Sequence, residues 1–345
     1  MYNTAMKINE IDSEQFIITN PANLYYFTGY KNADSIILFF NKTAYYFTDS
    51  RYFEEVASCI EGYQIKNIEY FWEFLESNSI TTLGVEDSLI FSMQTKLQKI
   101  NCKNLYSITG KISKLRAIKN EEELSKITYA QSITDTTFLE LLHYIKLGQT
   151  ENNLSHILSA LLYQNGADEL AFDNIVAFGK NTSKPHAHPG NTKLELGMPI
   201  TFDFGAKYQN YCSDMTRTVF FGKPTDEMVN IYNYVLNAQK LALKNIAVGK
   251  SGKDCDKIAR DYFKENNLDK YFTHSLGHSL GIDIHENPNF SPKCEDIIQS
   301  NMVLSVEPGL YFENKFGIRI EDIIFFDKNI IKNLTNSEKN IIIIE

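Results

Sequence analysis

The 345-residue sequence predicts an α+β protein in which a small α/β domain precedes a larger domain of helix pairs and antiparallel strands. Three observations support this prediction. The chain exceeds the ~250–300 residues at which a single hydrophobic core stops growing. Residues 1–110 alternate short β-rich runs with polar turns, whereas later segments show long amphipathic helical patterns. The charged segment KISKLRAIKNEEEL marks the change, so we predict domains spanning residues 1–115 and 116–345.

The first domain is predicted to be a strand-rich α/β unit. Runs of β-branched and aromatic residues between polar turn residues are typical of strands. Such runs are EQFIITN, SIILFFN, AYYFTDSRYF, YQIKNIEY and TTLGVED. The segment SMQTKLQKI has the apolar spacing of a helix.

The second domain shows the same order of elements twice. Apolar residues from Leu124 to Ile145 recur at spacings of about three and four, which predicts a helix. The next helix after the first β-rich block has Thr225 in the N-cap position. A helix pair precedes a β-rich block in each half, over residues 120–145, 151–164 and 172–222, and again over 226–246, 254–266 and 273–326. The repeated order predicts two related halves that face one another, with the closing IIIIE as a last strand.

Composition excludes several classes of protein. The formal net charge of −9 and the lack of a basic stripe argue against a nucleic-acid or anionic-membrane partner. No window approaches about 18 uninterrupted apolar residues, and MYNTAMKINEIDSEQ lacks the apolar run of a signal peptide. The five cysteines never occur in C-x-x-C spacing, which argues against disulfides or a cysteine-type zinc site. We therefore expect a cytoplasmic protein, with Cys212 packed as a small buried hydrophobic residue.

Two acidic residues flank a predicted turn in TFDFGAKYQNYCSDMTRTVFF. Asp203 and Asp214 are symmetric about Tyr208–Gln209, so a hairpin would place them opposite or nearly opposite on one face. Facing positions have Cβ atoms about 4.5–5.5 Å apart, and diagonal positions about 7–8 Å. The sequence therefore predicts that the two carboxylates lie close together.

A second predicted hairpin repeats the arrangement, since Glu307 and Glu321 are symmetric about the turn residue Asn314. Apolar neighbours predict that all these acids are largely buried. Two carboxylates about 4 Å apart repel by about 4 kcal/mol at an effective dielectric near 20, and burial costs several kcal/mol per ion. The four acids therefore predict bound cations, unless each is separately paired, for which Arg217 and Arg319 are available.

Histidine is concentrated in THSLGHSLGIDIHENP, which holds His274, His278 and His285, three of the seven histidines. Four carboxylates and an imidazole are too many ligands for one catalytic zinc, but they suit two divalent ions about 3.5–4 Å apart. Oxygen-rich coordination favours Mn²⁺, with Co²⁺, Fe²⁺ or Zn²⁺ also compatible. A water held between such ions would have its pKa lowered towards about 7, which is the chemistry of a hydrolase.

Five ordered stretches resemble the pita-bread metallopeptidases of family M24, specifically the Xaa-Pro group of aminopeptidase P and prolidase. They are PHAHPGNTKLELGMPITFDFG, YCSDMTRTVFFG, HSLGHSLGIDIHENP, LSVEPGLY and GIRIEDIIFF. In the first domain, NLYYFTGY and TDSRYF resemble the domain that precedes the catalytic one in this group. The resemblance implies a creatinase/prolidase-type N-terminal domain followed by a pita-bread catalytic domain, an antiparallel sheet with helices and pseudo-twofold symmetry.

The resemblance also implies a set of metal ligands, namely Asp203, Asp214, His278, Glu307 and Glu321. Asp214 and Glu321 would bridge the two ions. Asp203 would complete the shell of one ion, and His278 with Glu307 would complete the shell of the other. Glu307 would in addition carry a proton to the departing proline nitrogen, which must be protonated to leave.

The same resemblance implies a substrate pocket next to the metal ligands. His285 would contact the substrate and stabilise the tetrahedral intermediate, His186 would line the pocket, and His274 would lie near its proline-binding end. Arg319 would orient Glu321 or meet a substrate carboxylate. The remaining histidines are predicted to be structural or solvated, namely His143, His156 and His188.

The predicted activity is metal-dependent hydrolysis of the bond between an N-terminal residue and proline, as in aminopeptidase P, in peptides with proline at position two. A prolidase acting on Xaa-Pro dipeptides is the alternative. Asn289 stands where some dedicated dipeptidases carry an arginine, which favours longer substrates. A methionine aminopeptidase is disfavoured by the separate N-terminal domain, and a non-catalytic binding module or metal-free creatinase-like hydrolase by the five ligands. The resemblance also implies a homodimer.

Overall fold

The computed structural model describes residues 7–11, 13–32 and 34–345, and it divides into two compact units, residues 1–116 and 117–345. Residues 1–6, which belong to the predicted first domain, lie outside the described ranges. Each unit has its own hydrophobic core. No helix in the described ranges is long and apolar enough to cross a membrane.

The first unit is built around one mixed β-sheet. Its elements are β1 (Phe16–Ile18), α1 (Pro21–Thr28), β2 (Ser35–Phe40), β3 (Thr43–Thr48), α2 (Phe53–Cys59), β4 (Gln64–Asn67), α3 (Phe71–Ser77), β5 (Thr82–Val85), α4 (Phe91–Lys99), β6 (Asn104–Ser107) and α5 (Thr109–Ala117). The strand order in the described chain is β4-β3-β2-β1-β5-β6, with β2 antiparallel to both of its neighbours and the other pairs parallel. This is the predicted α/β arrangement.

The predicted strands of this unit are confirmed at their centres, but two of them end early. The run AYYFTDSRYF leaves the sheet after Thr48, because the Asp49 side chain accepts a hydrogen bond from Arg51 N and begins a turn. The run YQIKNIEY leaves it after Asn67, whose side chain caps the next turn in the same way. Helices α1, α2, α3 and α5 and strand β6 are additional to the predicted elements.

Helix pairs and the sheets they cover make up the second unit. Its elements are α6 (Glu121–Leu141), α7 (Glu151–Gln164), β7 (Glu169–Leu170), β8 (Ile175–Phe178), β9 (Met198–Phe204), β10 (Ala206–Tyr208), β11 (Tyr211–Cys212), β12 (Met215–Phe221), α8 (Asp226–Asn245), α9 (Gly252–Glu265), β13 (Gly277–Ser279), β14 (Glu286–Phe290), β15 (Val303–Val306), β16 (Gly309–Phe312), β17 (Phe316–Arg319), β18 (Asp322–Asp327), β19 (Ile330–Asn333) and β20 (Ile343–Ile344).

The larger sheets of the second unit have strand orders β20-β12-β9-β8 and β14-β13-β15-β18-β19. Apolar residues of α6 and α7, such as Phe138 and Leu158, share a core with Phe202 of the first sheet. Those of α8 and α9, such as Val235, share a core with Leu304 of the second sheet. The order of a helix pair followed by a sheet thus occurs twice, as the sequence predicts.

Side-chain caps determine where the helices of this unit begin. Asn120 accepts a hydrogen bond from Glu123 N while the Glu123 carboxylate accepts one from Asn120 N, which forms a capping box at the start of α6. Thr225 caps α8 as predicted. Ser251 caps α9, which therefore begins earlier than the sequence predicts. Helix α6 is shorter than predicted, because its last residues tighten into a 3₁₀ turn.

Candidate active site

Asp203 and Asp214 lie on the hairpin formed by β9 and β12. The register pairs Asp203 with Thr216, so Asp214 is a diagonal neighbour of Asp203 on the same face. The turn is centred on Gln209–Asn210, both of which have positive φ. The predicted centre at Tyr208–Gln209 is therefore wrong by one residue, because asparagine adopts the left-handed backbone that a two-residue hairpin turn requires.

Glu307 and Glu321 face each other directly. The β15–β18 and β16–β17 ladders share one register, in which Glu307 falls opposite Glu321. The turn between β16 and β17 is centred on Asn314, whose φ is 59°. The predicted symmetry of this hairpin is confirmed.

One imidazole joins the two carboxylate pairs. Asp214, His278 and Glu321 each have a ligand atom within 4.8 Å of those of the other two. His278 Nε2 lies 3.5 Å from Asp214 Oδ2 and 3.5 Å from Glu307 Oε1. His278 Nδ1 lies 3.1 Å from the carbonyl oxygen of Ser279, to which it can only donate. The imidazole is thus oriented to bind a metal ion through Nε2.

The pKa values of the side chains in this cluster are raised. Desolvation and repulsion from Glu321 raise the pKa of Asp214 well above its usual value, and desolvation and repulsion from Glu307 do the same to the pKa of Glu321. Burial also raises the pKa of Glu307 to about 7. Although burial disfavours the imidazolium, the hydrogen bond to Asp214 and the charge of Glu307 raise the pKa of His278 to about 10. Without a cation, the cluster therefore retains protons at neutral pH.

Arg319 connects the two hairpins. It donates a hydrogen bond to Asp203 Oδ2 and, through Nε, to the Thr216 hydroxyl at 3.0 Å. That hydroxyl in turn donates to Glu321 Oε2 at 2.8 Å. The expectation that Arg319 orients Glu321 is corrected accordingly, because Arg319 binds Asp203 directly and is connected to Glu321 through Thr216.

Arg217 is fully buried and is used differently. It pairs with Asp322 at 2.8 Å and donates hydrogen bonds to the backbone carbonyl oxygens of Glu321 and Ser337. Among the four predicted acids in the described chain, Asp203 is the one with an arginine partner. The alternative in which arginines neutralise the acids separately is therefore wrong for the other three.

The chemistry of this donor set fits divalent metal ions. Asp214 Oδ1 is buried and has no hydrogen-bond partner among the described residues. A buried carboxylate oxygen is costly unless a donor or a cation meets it. Carboxylate oxygens with one imidazole nitrogen are suitable ligands for Mn²⁺, Co²⁺, Fe²⁺ or Zn²⁺. The cluster can therefore hold divalent metal ions.

The five predicted ligands line a cavity of about 460 Å³. His186, His274 and His285 also line it, as predicted. Its apolar wall consists of Phe172, Ile175, Pro185 and Ile284. The other three histidines are exposed and lie outside the described lining, namely His143, His156 and His188. The sequence-predicted residues are therefore brought together at one cavity.

A directed chain of hydrogen bonds fixes His274. Its Nδ1 lies 2.8 Å from the carbonyl oxygen of Ser275 and must donate, so Nε2 accepts from the Tyr311 hydroxyl at 2.9 Å. The Tyr311 oxygen accepts in turn from Arg319 at 2.7 Å. Burial and the Arg319 charge lower the pKa of His274 to about 3. His274 is therefore a neutral residue that lines the cavity, and both of its ring nitrogens are hydrogen-bonded.

His285 packs against the predicted ligand His278. The ring centroids are 4.5 Å apart in an edge-to-face arrangement. Partial burial and the charge of His278 lower the pKa of His285. His285 is therefore neutral near pH 7 and can donate one ring N–H to a molecule held at the cluster.

Several residues of the site are additional to those predicted from the sequence. Thr216, which connects Arg319 to Glu321, lies two positions after Asp214 and therefore on the same face, so strand periodicity could have identified it. Tyr311 follows Glu307 in the motif EPGLY but has no separate signal. Phe172 and Ile175 have the composition of ordinary core residues, so their place in the wall becomes visible only in the folded chain.

The fold and the cluster define a metal-dependent hydrolase built on paired sheets. The chain belongs to metallopeptidase family M24, whose model matches residues 125–328. A creatinase/prolidase N-terminal domain model matches residues 3–118. These matches confirm the predicted pita-bread fold preceded by a smaller domain.

The chain is similar over almost its whole length to proteins of this family. It is 34% identical to an Xaa-Pro dipeptidase of Pyrococcus furiosus, over 98% of this chain and 97% of that one. The solved structure of an Xaa-Pro dipeptidase from Bacillus anthracis has a TM-score of 0.93 and 32% identity, over 99% of this chain and 98% of that one. An X-Pro aminopeptidase from Thermotoga maritima has a TM-score of 0.89 and 32% identity, over 98% and 99% of the two chains.

Proposed function

We propose that this metallopeptidase is an Xaa-Pro dipeptidase, which hydrolyses the peptide bond of dipeptides whose second residue is proline. The observation that carries the proposal is the buried carboxylate–histidine cluster lining a cavity, in a chain similar over its whole length to Xaa-Pro dipeptidases. The sequence favours aminopeptidase P as the main interpretation. The similarity to dipeptidases supports the alternative better, so we correct the preferred activity.

Two divalent ions per chain, with Mn²⁺ preferred, are proposed to be the cofactor. The residues that would hold them are Asp203, Asp214, His278, Glu307 and Glu321. Such ions supply polarisation of the scissile carbonyl and a lowered pKa for the attacking water. Support for this ligand set comes from the buried Asp214 oxygen without a partner and from the orientation of His278 Nε2.

Glu307 is proposed to hold and transfer the proton of the reaction. Its carboxylate lines the cavity, and its Oε1 lies 3.5 Å from His278 Nε2, so it can reach a water held at the cluster. Its Oε1 accepts a hydrogen bond from the Ser305 hydroxyl at 3.3 Å, which holds the carboxylate in the cavity. Glu307 would take a proton from the attacking water and deliver it to the departing proline nitrogen.

Three histidines near Glu307 are proposed to contact the substrate. His285 would donate its ring N–H to the carbonyl oxygen of the scissile bond, where negative charge develops. His186 would contact the substrate at the exposed side of the cavity, and the neutral ring of His274 would face the proline. The free amino group of the substrate would lie near Asp203, which limits cleavage to the first peptide bond.

The second candidate is an aminopeptidase P activity on longer peptides. It is favoured because the basic side chain that lines the cavity is already engaged in hydrogen bonds. Apart from histidines, Arg319 is the one basic side chain among the described residues that line it. Its guanidinium already donates to Asp203, Thr216, Tyr311 and the Pro185 carbonyl. A dipeptide carboxylate would therefore have to be received by neutral groups such as Asn289, which disfavours the shorter substrate.

Cleavage of Ala-Pro and Ala-Pro-Ala, measured side by side, tests the proposal. The enzyme should be assayed with Mn²⁺ and after chelation, with Glu307→Gln as the matched variant. Metal-dependent cleavage mainly of Ala-Pro, lost in Glu307→Gln, would support the dipeptidase. Cleavage of the tripeptide alone would select the aminopeptidase, and cleavage of neither would overturn the Xaa-Pro substrate.

We also propose that the chain forms a homodimer. Size-exclusion chromatography with light scattering should give twice the mass of one chain, and a monomer mass would reject the proposal.

A further inference from the structure

The segment that carries His285 is irregular. Strands β13 and β14 pair His278 with Asn289, but their register shifts between His278 and Ser279. The segment from Leu280 to His285 therefore lies outside the ladder, between the paired residues Ser279 and Glu286. The regular sheet does not determine the position of this imidazole, so other contacts must do so.

The Glu286 carboxylate holds this segment from inside. Its Oε1 accepts hydrogen bonds from Ile282 N at 3.0 Å and from Asp283 N at 3.2 Å. A Cβ atom at Gly281 would lie 2.8 Å from both carboxylate oxygens, so glycine leaves the space that the carboxylate occupies. The side chain next to His285 therefore folds back to bind the backbone of its own segment.

Lys119 completes this arrangement from a distant part of the second unit. Its Nζ lies 2.8 Å from Glu286 Oε2, and the two side chains are 2% and 6% exposed. Lys119 N also donates to the carbonyl oxygen of Asn301 at 2.8 Å, which fixes the lysine backbone. The ion pair is thus buried, anchored at both ends, and not used by the proposed chemistry.

We propose that Lys119 is a positioning residue, which acts through Glu286 to hold His285 against the substrate. The proposal rests on the proposed function, because it takes His285 to contact the scissile carbonyl. A carboxylate in contact with an ammonium group and two backbone N–H groups has one strongly preferred place. Without the ammonium group, the buried Glu286 carboxylate would lose this ion pair and would draw water or turn outwards, and the segment would follow it.

Steady-state kinetics of Mn²⁺-loaded Lys119→Met on Ala-Pro test the positioning. A misplacement of about 1 Å can cost about 10²-fold in rate, so we expect kcat to fall by roughly 10- to 100-fold. KM should change much less, because the metal ligands and the other cavity walls are untouched. Lys119→Arg, which keeps the charge, should restore most of kcat. Lys253→Met, which breaks the exposed pair with Glu295, is the matched control and should leave kcat unchanged.

A double variant separates positioning from simple support of the fold. In a His285→Ala background there is no imidazole to position, so Lys119→Met should cause little further loss of kcat. Losses that multiply in the double variant, or an unchanged kcat in Lys119→Met, would overturn the proposal. If Lys119→Met does not fold, Glu286→Gln replaces it, since its amide oxygen still accepts from Ile282 and Asp283 while the ion pair is lost.

Hydrogen exchange gives a result that does not depend on the substrate. The Ile282 and Asp283 amides should exchange faster in Lys119→Met than in the natural protein, and Lys253→Met should leave them unchanged. Unchanged protection of both amides in Lys119→Met would overturn the anchoring role. An enzyme that cleaves no Xaa-Pro peptide while these amides respond as expected would reject the proposed function and retain the anchoring of the segment.

Discussion

The two hairpins that carry the predicted acids look alike in the sequence but differ in the folded chain. In the hairpin of Glu307 and Glu321, the acids face each other directly about Asn314. In the hairpin of Asp203 and Asp214, the acids are diagonal, because the turn is displaced by one residue from their midpoint. Symmetry in sequence therefore predicts that two strand residues are close, and the turn residues decide whether they are opposed.

The partners of the acids differ in the same way. Asp203 is neutralised by Arg319 of the other hairpin, and Glu321 accepts a hydrogen bond from Thr216 of the first hairpin. Asp214 Oδ1 has no partner among the described residues. Each hairpin thus supplies a partner for one acid of the other, whereas Asp214 has a buried oxygen that no donor among the described residues meets and that a cation would satisfy.

The largest expected effect is that of Asp214→Asn on activity. Loss of this proposed metal ligand should remove several kcal/mol of charge stabilisation, so kcat/KM should fall by roughly 10³-fold or more. In the metal-free state the variant should unfold at a higher temperature than the natural protein, because a desolvated and repelled carboxyl is gone. Asp261→Asn, in an exposed pair with Lys257, is the control and should change neither quantity appreciably. Full activity in Asp214→Asn would contradict the assignment of Asp214 to the active site.

The next effect is expected from Arg319→Met, which breaks the connection between the hairpins. Removal of one partner of a buried ion pair costs about 3–5 kcal/mol, so the free energy of unfolding of the metal-free protein should fall by this amount. The exposed pair broken in Lys253→Met should be worth about 0–1 kcal/mol. Urea denaturation measures both. Equal losses in the two variants would contradict the role given to Arg319.

The stability of the metal-free protein should decrease as the pH rises. The pKa of Glu307 in the folded chain is about 7, above its usual 4.5, and the pKa values of Asp214 and Glu321 are also raised. A raised pKa contributes stability that is complete below the unfolded value and is lost as the pH rises through the folded value. For Glu307 this loss falls between about pH 4.5 and 7.

Thermal unfolding between pH 5 and pH 8, with and without Mn²⁺, measures this dependence. Cations replace the protons, so Mn²⁺ should stabilise the protein more at pH 8 than at pH 5. A metal-free protein that becomes more stable over this range would contradict the raised pKa values of Asp214, Glu307 and Glu321.

The smallest effect is expected at the turn that sets the opposed register. Asn314 has φ 59°, a conformation that costs an alanine about 1–2 kcal/mol. Asn314→Ala should lower the free energy of unfolding by about 1 kcal/mol, whereas Asn314→Gly should change it little. Equal effects of alanine and glycine in chemical denaturation would show that the left-handed turn does not hold this hairpin.

Local patterns predicted the parts of the structure that depend on local sequence. The helix periods, the Thr225 cap and the opposed glutamates follow from residue spacing and turn chemistry. Helix α1 was missed because its aromatic residues suggest a strand, although the Asn20 cap and Gly29 at its end were available signals. The contacts between Thr216 and Glu321 and between Lys119 and Glu286 join residues 105 and 167 positions apart, so only tertiary packing reveals them.

The number of metal ions bound per chain tests the central claim most directly. Protein purified without chelators, or reconstituted with Mn²⁺ at pH 8 and dialysed, should contain two divalent ions per chain by elemental analysis. Asp214→Asn should retain fewer than the natural protein under the same conditions. A natural protein that binds no ions, or binds them as well after Asp214→Asn as before, would contradict the assignment of these acids and His278 to one metal centre.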